Sequence, residues 1–157
     1  MRTTAQKRAF TLIEMLIVII ILGILAMIII PQITVSTDDA KLRTLQTNLN
    51  TMRGAIELYA AQHGGSYPGP TATLFEQQLT RYTDATNAVS STKTAAAKYG
   101  PYIKGNTLPA NPFNDKTDVE VDAATADITA RSAAGTGWKF YYLTGVLIAG
   151  DGNHNSL

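Results

Sequence analysis

The amino-acid sequence predicts an α+β protein in which a long N-terminal helix packs on a small C-terminal antiparallel sheet. Three features support this fold class. An almost uninterrupted apolar run ends at Ile30, a helix-period pattern of apolar residues extends from Leu42 to Tyr59, and alternating aromatic residues near the C-terminus precede a tight turn. About 120 of the 157 residues follow the apolar run, which allows one globular domain with a modest core.

The apolar run begins directly after two basic residues, Lys7 and Arg8, and contains Glu14 as its one charged residue. About twenty apolar residues suffice for a helix to cross the hydrocarbon core of a bilayer. The basic residues are expected to stay in the cytoplasm, so that the C-terminal part of the chain is exported. A carboxylate inside a membrane is energetically costly and indicates a functional residue with a partner.

The residues around Glu14 also form a motif. Arg8-Ala9-Phe10-Thr11-Leu12-Ile13-Glu14 resembles the N-terminal motif of the type IV pilin-like family, which comprises the type IV pilins and the pseudopilins of type II secretion. The resemblance implies that a membrane-embedded prepilin peptidase cuts between Ala9 and Phe10 and N-methylates Phe10. The family usually has glycine before the cut, so Ala9 is a departure that is expected to slow cleavage.

Cleavage would leave the Phe10 amine as a cation near Glu14, and the two charges could neutralise each other within one subunit or between neighbours. Pairing between subunits would fix the axial stagger of packed helices, and we assign Glu14 and Thr11 to this register. The alternative is an ordinary signal-anchor helix that tolerates a glutamate.

Four segments are predicted: a leader peptide at 1–9, a transmembrane and filament-core helix at 10–30, an amphipathic helix at 31–63 that continues it, and a periplasmic globular region at 64–157. Gly23 and Pro31 are expected to bend or locally melt the one long helix. Alternatively, the helix stops at Ile30 and a second helix starts between Ser36 and Asp39.

The second half of this helix has one apolar face, formed by Leu42, Leu45, Leu49, Met52, Ile56 and Tyr59. The face is expected to pack on the protein's own sheet, and a coiled coil is the alternative. Gly64-Gly65 predicts a glycine C-cap. Either Thr71 or Thr73 is expected to cap a short second helix.

A β-hairpin is predicted near the C-terminus. Trp138, Phe140 and Tyr142 alternate along its first strand, Thr144-Gly145 forms the turn, and residues 146–149 return. The aromatic side chains are expected to pack on the apolar helix face rather than to bind a ligand.

An earlier string, Leu108-Pro109-Ala110-Asn111-Pro112-Phe113, is similar to the Leu-Pro-x-Asp-Pro-Trp element of the major pseudopilins. Asn111 and Phe113 replace the usual acid and indole. The prolines predict an extended segment laid across the domain. Residues 83–97 are weakly patterned, and we assign them no role.

No cofactor is predicted to be required, but the resemblance makes calcium a hypothesis. Major pseudopilins hold a calcium ion in their final loop, and Ile148-Ala149-Gly150-Asp151-Gly152 resembles its start. Asp151 is therefore a candidate ligand, although the later acidic ligands of the family do not occur before Leu157. The acidic stretch 114–122 lacks an EF-hand pattern and is expected to be a solvated turn beside a short strand.

The composition gives no indication of an enzyme or a nucleic-acid-binding protein. The formal net charge is +1 and cysteine is absent, which separates the chain from many type IV pilins and favours the pseudopilins. His63 and His154 lie beside glycines without an acid or nucleophile motif, and both are expected to be solvated.

The resemblance therefore implies a pseudopilin that polymerises into a helical filament for type II protein secretion. Its implied partners are further copies of itself, the prepilin peptidase, the inner-membrane assembly platform and minor pseudopilins. It would reside in the inner membrane with its C-terminal domain in the periplasm, where the filament forms. The alternatives are a type IV pilus subunit and a membrane-anchored periplasmic binding module.

Overall fold

The structure is a computed structural model that describes residues 10–126 and 135–157, and only the backbone of residues 28–36. The chain divides into two compact units, Met1–Ala40 and Lys41–Leu157. We describe each unit by itself.

The first unit is occupied by helix α1, which extends from Leu12 to Gln62 and continues into the second unit. The helix is unbroken at Gly23 and Pro31, so the structure favours one helix over two. The bend at these two residues stays a prediction. Every large apolar side chain described between Phe10 and Met27 is at least 42% exposed. In the described part of the chain, we find no helix with both the length and the apolar character needed to cross a membrane.

The second unit contains the C-terminal part of α1, from Lys41 to Gln62. Leu45, Leu49, Met52, Ile56 and Tyr59 are all at most 1% exposed, which confirms the predicted apolar face apart from the half-buried Leu42. The helix ends at a glycine C-cap, as predicted. Gly64 and Gly65 have positive φ angles of 65° and 88°, and the Gly65 N–H donates to the Ala60 carbonyl at 2.8 Å.

Helix α2, Ala72–Thr80, begins at Thr71, whose hydroxyl accepts a hydrogen bond from the Leu74 N–H. Thr71 rather than Thr73 is therefore the N-cap. Two short antiparallel strands follow, β1 (Tyr82–Thr83) and β2 (Val89–Ser90).

The main sheet has the order β3-β4-β5, with β3 at Val119–Asp122, β4 at Trp138–Tyr141 and β5 at Val146–Ala149. The β4–β5 pair is the predicted antiparallel hairpin. Strand β3, however, pairs parallel to β4, so the sheet is mixed rather than antiparallel. A parallel pair needs a connection of about a dozen residues or more, and residues 123–137 provide it.

The hairpin packs on α1, as predicted. Trp138 and Phe140 are fully buried in the same cluster as the apolar face of α1, and the half-buried Tyr142 packs against it. Phe75 and Leu79 of α2 complete this core. The structure is thus a long N-terminal helix with a small sheet, the arrangement expected of a pilin-like fold.

Candidate assembly site

The start of α1 is closed by a capping box between Thr11 and Glu14. The Glu14 carboxylate oxygen Oε2 accepts hydrogen bonds from the Thr11 N–H and hydroxyl, both at 2.8 Å. In return, the Glu14 N–H donates to the Thr11 hydroxyl oxygen at 3.3 Å. This reciprocal arrangement satisfies backbone N–H groups that a helix start leaves without helical partners.

The capping box gives Thr11 a defined role beside Glu14, one that the sequence analysis missed. The signal was present, because threonine followed three residues later by glutamate is a capping-box pattern. Both bonds reach the same oxygen, so the second carboxylate oxygen of Glu14 can still accept a further donor.

The structure describes only part of the remaining predicted site residues. Lys7, Arg8 and Ala9 lie outside the described residues. Phe10 is 76% exposed, and in the uncut chain its nitrogen belongs to a peptide bond, so the amine that would pair with Glu14 exists only after cleavage. A Cβ added at Gly23 would meet nothing within 4 Å.

Residues 108–113, predicted to form an extended segment, contain no helix or strand, enter a turn at Pro112 and are held in the globular unit by hydrogen bonds of their side chains and backbone. Asn111 is fully buried, and its amide nitrogen donates to the Gly137 carbonyl at 3.0 Å. Its side-chain oxygen accepts from the Phe113 N–H at 3.0 Å. The Trp138 indole donates to the Pro109 carbonyl at 2.8 Å. We call residues 108–113 the strap.

Arg53 of α1 contacts β5, an edge strand of the same sheet. The Arg53 guanidinium donates twice to the Leu147 carbonyl of β5, at 2.8 and 3.1 Å, and once to the Leu157 carbonyl at 2.6 Å. Strand β5 is an edge of its sheet, so this contact satisfies a carbonyl that a second chain could otherwise pair with.

His63 is not solvated, contrary to the prediction. It is 7% exposed, and its Nδ1 lies 2.8 Å from the Tyr59 carbonyl oxygen. Because a carbonyl only accepts, Nδ1 carries a proton, and Nε2 lies within hydrogen-bond distance of the Thr83 hydroxyl, at 3.1 Å. The ring also stacks on Tyr59 at 4.0 Å, and burial raises the pKa of the Tyr59 phenol well above its ordinary value. The helix end that contains His63 is therefore a packed site, which its sequence neighbours did not indicate.

His154 is not a lone solvated side chain either. Its Nδ1 lies 2.6 Å from Oδ2 of Asp151, and its ring stacks on Phe113 of the strap at 4.0 Å. The other oxygen of Asp151 accepts from the N–H groups of Asn153 and His154, at 3.1 and 3.0 Å. Burial works to raise the pKa of Asp151, but the hydrogen bonds from His154 and Asn153 outweigh it and leave the pKa below its ordinary value.

Comparison with known proteins supports the motif at the helix start. Residues 4–30 match the family model described as the prokaryotic N-terminal methylation motif. The chain is 37% identical over 54 residues to type II secretion system core protein G of Pseudomonas aeruginosa, covering 34% of this chain and 38% of that protein. The corresponding protein of Klebsiella pneumoniae is 33% identical over 54 residues, covering 34% and 39%.

A third relative is the ComG operon protein 3 homolog of Bacillus licheniformis, 32% identical over 63 residues, which cover 40% of this chain and 65% of that protein. No solved structure shows significant similarity to the chain. The chain thus covers less than two thirds of the length of these relatives.

The long N-terminal helix and the small sheet are consistent with a pilin-like fold, and the methylation motif makes the chain similar to that class of proteins. Within that class, the similarity to core protein G shows that the chain is like a major pseudopilin of the type II secretion system. Both statements confirm the resemblance predicted from the sequence.

Proposed function

We propose that the chain is a pseudopilin subunit that is processed at its N-terminus and polymerises into a filament for type II protein secretion. The methylation motif over residues 4–30 is the observation that carries the proposal. The protein would act as a structural subunit rather than as an enzyme.

The exposed apolar surface of α1 indicates that this helix needs a partner to cover it. Between Phe10 and Met27 the large apolar side chains that the structure describes are exposed around the whole helix, whereas a surface helix of a globular protein has only one apolar face. Burial of apolar area is favourable by roughly 25 cal/mol per Å². Lipid would cover this surface before assembly, and the helices of neighbouring subunits would cover it in the filament. This gives the protein an inner-membrane anchor, with its globular region in the periplasm.

Processing would change the chemistry at the helix start. Lys7 and Arg8 would hold the leader in the cytoplasm, and the prepilin peptidase would cut between Ala9 and Phe10 and methylate the new amine. The capping box already uses one oxygen of Glu14. The other oxygen can receive the Phe10 amine of the same or a neighbouring subunit, so capping and charge pairing are compatible.

Pairing between subunits would set the register of the filament, because an uncompensated charge in a low-dielectric core is strongly unfavourable. If α1 bends or locally melts at Gly23 and Pro31, packed subunits would be able to slide along one another. The other partners would be the inner-membrane assembly platform and minor pseudopilins.

The first test is the N-terminus of the protein recovered from membranes, measured by mass spectrometry. We expect a chain that starts at N-methylated Phe10. A chain that retains Met1 would mean that Ala9 blocks processing, and the anchored binding module would then be the better hypothesis.

The second test is the effect of Glu14→Ala on filament formation, measured by electron microscopy of sheared material from cells that overproduce the protein. We expect the variant to be processed and membrane-bound but not assembled. Glu57→Ala is the matched control, because Glu57 is an exposed carboxylate on the outer half of the same helix. Normal filaments from Glu14→Ala would contradict the register role.

A further inference from the structure

The final loop, residues 150–157, is the place where the resemblance and the structure disagree. The resemblance implies a calcium ion there, with Asp151 as its candidate ligand. Calcium takes six to eight oxygen ligands at about 2.3–2.6 Å, mostly from carboxylates, carbonyls and water.

The carboxylate of Asp151 is already engaged on both oxygens. Oδ1 accepts two backbone N–H groups of its own loop, and Oδ2 is occupied by the His154 ring nitrogen at 2.6 Å. A cation at Oδ2 would have to displace the imidazole, and a nitrogen ligand suits transition metals rather than calcium. In the described residues no three side chains among His, Cys, Asp and Glu lie together as a metal site would require. The donor set does not fit calcium.

The same residues hold the final loop in place through a hydrogen bond and a ring stack. The His154 ring is held on one edge by Asp151 and on one face by Phe113 of the strap, at 4.0 Å and with the ring planes 27° apart. The loop then returns to the core, because the Leu157 N–H donates to the His154 carbonyl and the Leu157 carbonyl accepts from Arg53. His154 therefore lies between the strap and the residues that contact α1.

We infer that this chain closes its final loop with the Asp151–His154 pair stacked on Phe113, in the place where a major pseudopilin would hold calcium. Metal coordination ties a loop through shared oxygen ligands, whereas here a hydrogen-bonded side-chain pair and an aromatic stack tie it. The fold is accordingly independent of calcium. The inference concerns the globular region and does not depend on whether the chain assembles.

The test is thermal unfolding of the full-length protein in detergent, followed by the fluorescence of Trp138. We expect the same Tm in millimolar calcium, in millimolar magnesium and in excess EDTA. A Tm that rises by several degrees with calcium but not with magnesium would overturn the inference.

Two substitutions separate the two contacts of His154. His154→Asn removes both the stack and the imidazole, and we expect Tm to fall by about 3–6 °C, with or without EDTA. His154→Phe keeps an aromatic ring on Phe113 but loses the bond to Asp151, so a smaller fall is expected. Asp115→Asn is the matched control, since it removes an exposed carboxylate from a neighbouring loop and should leave Tm unchanged.

The pair itself is tested by a double-mutant comparison. If Asp151 and His154 act together, the losses from Asp151→Asn and His154→Asn should not add in the double variant. Additive losses, or a His154→Asn variant as stable as the parent, would show that the loop is closed by something else.

Discussion

Asn111 occupies a position where the major pseudopilins have an aspartate, and the structure predicts that restoring the acid destabilises this protein. The Asn111 side chain is fully buried, with its amide donating to the Gly137 carbonyl and its oxygen accepting from the Phe113 N–H. An aspartate has the same shape, and its oxygen can keep the bond from Phe113. An ionised carboxylate has no proton for Gly137, however, and places a negative charge against a carbonyl oxygen.

The expected loss can be worked out from these contacts. The Gly137 carbonyl keeps the Gly150 N–H as a donor at 3.0 Å, so the lost bond alone costs about 0.5–1.5 kcal/mol, whereas burying an unpaired carboxylate costs several kcal/mol more. The second penalty is limited by protonation, which at pH 7 costs about 4 kcal/mol for an acid of ordinary pKa near 3.9. Once protonated, the introduced acid would donate its O–H to Gly137 and restore the bond. We therefore expect Asn111→Asp to lose about 3–5 kcal/mol at pH 7.

The stability lost in Asn111→Asp depends on pH. The folded-state pKa of the new acid is raised, so the penalty is absent below the unfolded pKa and grows as the pH rises above it. Relative to the parent at the same pH, the loss should shrink to under about 1 kcal/mol near pH 4.

Urea unfolding of the full-length protein gives the measurement, with fluorescence of the single tryptophan as the probe. Trp138 is suited to this because it is buried and its indole is bonded to Pro109 of the strap. Asn106→Asp is the control, since Asn106 is exposed in a loop. Equal stability of Asn111→Asp and the parent at pH 7, or a loss that is unchanged at pH 4, would refute the reasoning.

Two further predictions follow from other contacts of the globular unit. Arg53→Met should lower the free energy of unfolding by about 2 kcal/mol, because it removes charged donors from the partly buried Leu147 and Leu157 carbonyls; a loss under about 0.5 kcal/mol in urea would be inconsistent with that contact. Gly145→Ala should lose about 2 kcal/mol, because Gly145 has a φ of 71° and a Cβ there would overlap the Tyr67 ring. Gly54→Ala, on an open helix face, is its control and should be neutral or slightly stabilising.

The parts of the fold that the sequence predicted are those set by local periodicity. The three- and four-residue spacing from Leu45 to Tyr59 and the alternation from Trp138 both depend on neighbours along the chain, and both are confirmed. The parallel pairing of β3 was not predicted, because four residues with two valines show that a strand exists but not which neighbour it joins or in which direction.

In the candidate site, too, features formed by consecutive residues could be predicted and contacts between distant residues could not. The motif from Ala9 to Glu14 was found because its residues are consecutive, and the capping box within it could have been found in the same way. The stack of His154 on Phe113, by contrast, joins residues from two separate loops that are far apart along the chain. Only the fold brings them together, so the sequence predicted a solvated His154.

Two departures from the major-pseudopilin element, Asn111 and Phe113, lie next to His154 and Asp151 of the final loop. Asn111 uses its amide to hold Gly137, directly before β4, and its oxygen to position the backbone of Phe113. Phe113 in turn presents its ring to His154, which occupies Asp151. Each of these residues thus contacts the next, so a substitution at one of them alters the surroundings of another. An ionised acid in place of Asn111 would lose the bond to the Gly137 carbonyl, and losing the imidazole of His154 would leave Oδ2 of Asp151 without that partner. The strap and the final loop are therefore coupled through the contacts of Phe113, His154 and Asp151.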